Sequence, residues 1–279
     1  VSFIQILQNS SKSIKVKIKK PKFRYSKAEY FVDKESNSIY KGIGSVKFMN
    51  QSCADDLYNL RDNHYDSFVD LLRDIYEKTS VNSRQLDILI KLDFFDEFGN
   101  AKELLRLVKM YDMFGTAKTL KKEKPANSDV VRAIVERHSV STTKAGKESK
   151  SYSQLDNMAI LNECETLIMS LGIKPMTIKE KAEIQKEYMG YVDIATGKQE
   201  DRPKLYILDV KTLKSKASGR VWARQITAQS IGSGKQSNYT ITSKNYHEEF
   251  QVGDVILCKH LEKQKDYWHI TNYEVLVNI

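Results

Sequence analysis

The sequence predicts an α+β chain in which a small all-helical module is followed by a five-stranded β-barrel. Two observations predict it. Apolar residues recur at helical spacing from about Ile39 to Gly115, the mark of helices with one buried face. From Pro203 onward, short alternating runs are separated by turn residues instead, the mark of an antiparallel β domain. Charge is a third guide, because residues 1–50 carry eleven basic against three acidic residues, nearly the whole formal excess of +9.

The first segment, 1–38, reads as basic strands and loops broken at Pro21. Lys12 to Lys27 holds eight basic residues and no acid. Lys15, Lys17 and Lys19 alternate with Val16 and Ile18, which predicts a strand with one charged face. Such a face suits a phosphate backbone, and it equally suits an edge strand that uses lysine against aggregation.

The helical module is expected over 39–124. Phe68, Leu71, Leu72, Ile75 and Tyr76 form one stripe. Asn82 or Ser83 caps the next helix, which carries Leu86, Leu89 and Ile90. A third stripe, Leu104, Leu107, Val108 and Tyr111, stops at Gly115. Residues 125–155 are expected to hold one helix capped by Ser128, then a flexible Ser/Thr/Lys/Gly linker from Ser139 to Ser153. Over 156–202 the reading is two connecting helices, the second opened by the capping box Thr177-x-x-Glu180.

The last segment, 203–279, gives five strand-like runs: Leu205 to Leu213, Val221 to Thr227, Tyr239 to Thr242, Val255 to His260 and Trp268 to Val277. A short helix is expected at Asn245 to Phe250. Five strands with one such insertion fit an OB-fold barrel, and another five-stranded β domain is the alternative. Alternation puts Arg220, Trp222 and Arg224 on one face. An aromatic between two cations suits a single-stranded nucleic acid, whose bases stack and whose phosphates pair. Tyr239, Lys259 and Tyr267 would extend that face, although alternation alone leaves open which face is the core.

Several classes are disfavoured. No apolar run approaches the ~20 residues of a membrane span, and Val1 to Asn9 lacks the pattern of a signal peptide. The absence of an initial Met suggests a fragment or a processed chain. Cys53, Cys164 and Cys258 are too few and scattered for a disulfide framework or a zinc site, so a reducing, cytoplasmic setting is expected, without metal or cofactor. No phosphate loop, nucleophile elbow or Asp-x-Asp pair occurs, so the chain is expected to bind rather than to catalyse.

The best binding motif is Tyr40-Lys41-Gly42-Ile43-Gly44-Ser45-Val46-Lys47. A Gly-hydrophobic-Gly turn ahead of a helix lets backbone amides approach a phosphate. Lys41 and Lys47 would add charge.

From these residues on, the chain resembles the region after the fingers of the bacterial replicative DNA polymerase III α subunit. The resemblance runs through Gly42 to Lys47, Asp66-Ser67-Phe68, Asn82 to Ile90, and Phe95-Asp96-Glu97-Phe98-Gly99. Ile14 to Lys17 with Pro21 and Ser26 precedes it. Glu187 to Val192 and Ser218 to Ala223 follow. It implies a helix-hairpin-helix DNA-binding region and then an OB-fold, in a C-terminal part that lacks the catalytic palm. Duplex contacts would come from Lys15, Lys17, Lys19, Lys41, Gly42, Gly44, Ser45, Lys47 and Arg84. Single-strand contacts would come from the barrel face. Sequence-independent DNA binding is therefore expected, with the sliding clamp and clamp loader as further partners; a stand-alone single-strand-binding accessory protein and a clamp scaffold are the rival readings.

Two departures stand out. Where the family has a second glycine turn, this chain has Phe48-Met49-Asn50, and where it has Ala-Gly this chain has Leu92-Asp93. The family's clamp-binding peptide is matched in part by Met110-Tyr111-Asp112-Met113-Phe114, which lacks the leading Gln. Tyr111 and Phe114 also continue a helical stripe, so core packing is the better reading of that segment.

Overall fold

The structure is a computed structural model that describes residues 16–123, 128–143, 146–264 and 267–277. The chain divides into two compact units, residues 1–175 and 176–279.

The first unit opens on a three-stranded sheet. Strand β1 (Lys17–Lys19) pairs parallel with β3 (Ser38–Tyr40), and β2 (Phe31–Asp33) pairs antiparallel with β3 on its other side. Four helices follow: α1 (Gln51–Asn59), α2 (Phe68–Lys78), α3 (Ser83–Lys91) and α4 (Ala101–Phe114). Their starts are set by side-chain caps that satisfy otherwise orphaned amides. Asn50 accepts from Cys53 N–H, Ser67 from Asp70 N–H, and Asn82 and Asn100 form capping boxes with Gln85 and Glu103.

The segment after β1 alternates in and out. Pro21 and Phe23 are buried, while Lys20, Lys22 and Arg24 face outward to acids. Phe23 sits among Phe94, Phe95, Phe98 and Tyr65, with ring centroids 5.6–6.4 Å away. This aromatic cluster fastens the basic segment to the helices.

Residues 139–153 are not the flexible linker that their composition predicts. Strands β5 (Val140–Thr142) and β6 (Glu148–Ser153) form a sheet with β4 (Thr119–Lys121), and β6 is its centre. Its apolar anchors are Leu120 and its register partner Tyr152, which is fully buried and donates to Glu136 at 2.9 Å. Between β4 and β5 lies α5 (Asp129–Arg137), capped by Ser128 as expected.

Helix α6 (Asn157–Ser170) closes the unit. Its Glu165, 9% exposed, accepts from the Phe68 and Val69 amides at 2.8 and 3.1 Å. A carboxylate at a helix start meets both unpaired N–H groups and the positive end of the dipole. Glu165→Ala is expected to cost about 2–3 kcal/mol, since it strands two buried donors. The urea midpoint measures this, with Glu165→Gln as the milder control.

The second unit begins at Met176, upstream of the 203 boundary expected from the strands. Helix α7 (Ile178–Met189) starts at the predicted Thr177–Glu180 capping box. Its Ala182 is buried with Ile194, Tyr206, Ile231 and Val255, so the helix packs on the barrel.

The barrel consists of β7 (Lys204–Lys214), β8 (Val221–Ser230), β9 (Gln236–Thr242), β10 (Val255–Gln264) and β11 (Tyr267–Leu276). The strand order is β7-β8-β9-β11-β10, closed by β10 against β7, with only β9–β11 parallel. This fits an OB-fold. Leu205, Ile207, Ile226, Ala228, Ile241, Ile256, Ile270 and Tyr273 fill the interior. The helix expected at Asn245 to Phe250 is absent; the segment is turn and irregular. His247 bonds the carbonyls of Asn245 and Tyr273, and Glu248 accepts from Val275 N–H. Such side-chain bonds to backbone compete with a helix.

Candidate nucleic-acid interface

In the first unit the Gly42–Gly44 turn is docked on residues 27–29. A Cβ on Gly42 would lie 2.2 Å from the Ala28 carbonyl oxygen, and one on Gly44 would lie 2.8 Å from it. The Ile43 and Gly44 amides donate to the Lys27 and Ala28 carbonyls at 2.9 and 2.8 Å. This corrects part of the expected phosphate cradle: the glycines serve close approach of the chain's own backbone, and the Ile43 and Gly44 amides are bonded within the chain. The helix beyond starts only at Gln51, with its Cys53 amide capped by the Asn50 side chain. Lys41 is buried at 7% exposure, with its carbonyl accepting from the Ser26 hydroxyl at 2.7 Å. Its expected role as a surface point charge is therefore also corrected.

The exposed rim of this turn is Gly44, Ser45, Lys47 and Phe48, with Arg84 from α3 stacked on the Phe48 ring. Lys17 and Lys19 are exposed on β1, while Lys15 lies outside the described residues.

Three cations of the basic block are neutralised internally. Lys20 and Lys22 each pair with Asp96 at 2.9 Å, and Arg24 pairs with Glu97 at 2.7 Å. Arg24 also donates to the Arg61 and Asn63 carbonyls. Burial alone would raise the Asp96 pKa, but its bonds to Lys20 and Lys22 outweigh burial and hold it below the ordinary carboxylate value. A depressed folded-state pKa means stability that is present above the unfolded value, about 3.9, and lost as pH falls through the folded value. Denaturant midpoints measured downward from pH 5 should fall in this window, and Asp96→Asn should flatten part of the fall.

The segment Met110–Phe114 is the last turn of α4, not an extended peptide. Tyr111 and Phe114 are 6% and 0% exposed. Tyr111 stacks on Tyr76 at 4.8 Å, and Asp112 accepts from the Tyr76 hydroxyl at 2.7 Å. These side chains pack the helix, which removes the clamp-peptide reading of Met110, Tyr111, Asp112, Met113 and Phe114.

In the second unit, the even positions of β8 answer the question of faces. Ile226 and Ala228 point into the core, and Arg224 continues that side towards the start of the strand, where the register with β7 shifts at Trp222. There Trp222 reaches 50% exposure. The guanidinium of Arg224 lies 3.4 Å from the centroid of Tyr246, which itself packs on the core. Arg220 is exposed in the preceding turn. In an OB-fold the second and third strands and the loops after the first and fourth form the oligonucleotide-binding face. Here those strands are β8 and β9, and the loop after β7 carries Arg220.

The other expected members differ. Tyr239 packs against the core cluster, and burial pushes its hydroxyl pKa up; it floors the face rather than offering a free ring. Lys259 is exposed but ion-paired with Glu274 at 2.7 Å. The β10–β11 hairpin adds Trp268, 39% exposed with Lys263 near its ring, and Tyr267, 60% exposed.

Residues 15–105 match the helix-hairpin-helix motif. This helix-hairpin-helix region spans the first sheet, α1 to α3 and the start of α4. With the closed barrel that follows, it fits a DNA-binding module. No curated protein matches the chain at the threshold of significance. Among the described residues, no helix is long and apolar enough to cross a membrane, and no cluster of His, Cys, Asp and Glu could hold a metal. Burial pushes the Cys53 and Cys164 thiols up to about 11, so neither supplies a thiolate at neutral pH.

Sequence reasoning did not find the Arg84–Phe48 and Arg224–Tyr246 stacks. Their partners are 36 and 22 positions apart, and no local period links them. The missing glycine at Phe48 was the one available signal.

Proposed function

We propose that this chain is the non-catalytic, DNA-binding C-terminal part of a replicative DNA polymerase III α-type subunit. The supporting observation is the order of modules: a helix-hairpin-helix region over 15–105, then a closed five-stranded barrel with a cation–aromatic face. In this reading the first unit holds template–primer duplex by its backbone, without sequence choice. The barrel holds single-stranded template through Trp222, Arg220 and Arg224. Catalysis is assigned to palm residues outside this sequence.

A second reading is a stand-alone single-strand-binding accessory protein. It is favoured by the bonded Ile43 and Gly44 amides and by buried Lys41, which weaken the duplex grip.

Fluorescence anisotropy with single-stranded, duplex and primer–template DNA at two salt concentrations separates these readings. Preference for the primer–template junction supports the polymerase reading. Preference for single strands alone supports the accessory reading. No binding at low salt overturns both and leaves a protein scaffold.

A further inference from the structure

We propose that Phe48, backed by Arg84, is a stacking platform for a nucleobase with an exposed face, at an unpaired nucleotide or a duplex end. The inference rests on the DNA-binding reading above and gives the helix-hairpin-helix region a contact other than a grip on phosphates.

Four observations carry it. Phe48 has φ of 69°, a left-handed conformation that favours glycine. It is held there by its neighbours: the Gln85 side chain donates to the Phe48 carbonyl at 2.9 Å. A strained residue that its surroundings over-determine is a pointer to function. The ring is also not buried in return for that strain, because Phe48 is 49% exposed. Third, the Arg84 guanidinium carbon lies 3.3 Å from the ring centroid. Arg84 is itself exposed, so the pair forms a flat, cationic, two-layer surface, a combination that attracts an aromatic base. Finally, the rim beside it is exposed at Ser45 and Lys47, so a cation adjoins the ring in the chain and is open to a phosphate.

A purely structural role fits less well. A glycine at 48 would supply the turn without strain, and a packing role would bury the ring. The nearby amides of Ile43 and Gly44 are already donated inside the chain, so those two add nothing to a phosphate grip beside the ring.

The test uses the full chain with DNAs carrying 2-aminopurine at three places: the first unpaired nucleotide of an overhang, the last pair of a blunt duplex, and an internal pair. Stacking on Phe48 should change the fluorescence of the first or second probe, and which one responds identifies the source of the base. Phe48→Gly should abolish that change and weaken binding of the responsive DNA roughly 5- to 150-fold, the range for loss of one base–aromatic stack. Its Tm should be equal or higher, since glycine suits the backbone. Phe48→Leu, which keeps apolar bulk without a π face, should lose the signal as well. If both variants bind and respond like wild type, the platform is overturned while the DNA-binding reading stands. If wild type binds none of the DNAs, that reading fails and takes this inference with it.

Discussion

Gly42→Ala is expected to disrupt the first unit, with a loss of more than about 3 kcal/mol. The added Cβ would meet the Ala28 carbonyl oxygen at 2.2 Å and the Glu29 carbonyl oxygen at 2.5 Å. Both are backbone atoms, so no rotamer change relieves the contact. The turn must lift off residues 27–29, breaking the Ile43 and Gly44 amide bonds to them. Ordinary overpacking costs roughly 1–3 kcal/mol, and a backbone collision lies at or above that range. Hydrogen exchange at Ile43 and Gly44 reports the turn directly, and the urea midpoint reports the unit. Ser45→Ala is the control, expected within about 0.5 kcal/mol because Ser45 is exposed. An unchanged midpoint and retained amide protection in Gly42→Ala would mean the turn does not need this close approach.

The second large effect is on binding. Trp222→Ala with Arg224→Glu should weaken single-stranded DNA binding roughly 10- to 200-fold at low salt, combining loss of one base stack with a charge reversal. Neither side chain is in the closed core: Trp222 is half exposed, and Arg224 lies on Tyr246 at the margin. The thermal midpoint should therefore move little. Trp222→Phe should recover part of the affinity, since it restores a π face, whereas Arg224→Lys should recover charge without the flat stack on Tyr246. Wild-type affinity in the folded double variant would sink the proposed groove.

Much of the fold was legible because local rules agreed with the tertiary outcome. The five barrel strands follow alternation and turn residues, and they match the expected runs to within a few positions at each end. The helix starts at Asn82, Ser128 and Thr177 follow from cap chemistry. What failed depended on partners far along the chain. Residues 139–153 have almost no apolar content, yet β6 is paired by β4 from some thirty positions upstream and anchored through Tyr152. The 245–250 segment has a helical composition, but His247 and Glu248 find backbone partners on β11.

The site was less legible than the fold. Gly42 and Gly44 were visible as positions of close approach, but not that the approaching backbone is the chain's own. Lys41 carries a charge in sequence and is buried in the fold. On the barrel, alternation found Trp222 and Arg224 as one face, and only the register of β8 showed the irregularity that separates Trp222 from the regular ladder.

The ion pairs of Lys20, Lys22 and Arg24 with Asp96 and Glu97 have a thermodynamic consequence for any nucleic-acid complex. Affinity for a polyanion is driven by small ions set free when cations approach phosphates, roughly 0.7–0.9 per contact. Three of this protein's cations already hold carboxylates as tethered counterions, and those cannot diffuse away. Such cations add to the formal charge without adding to the entropy of release. The ionic-strength dependence of binding should thus count only the cations that reach phosphate, and a titration would register a much smaller cationic footprint than the amino-terminal sequence advertises.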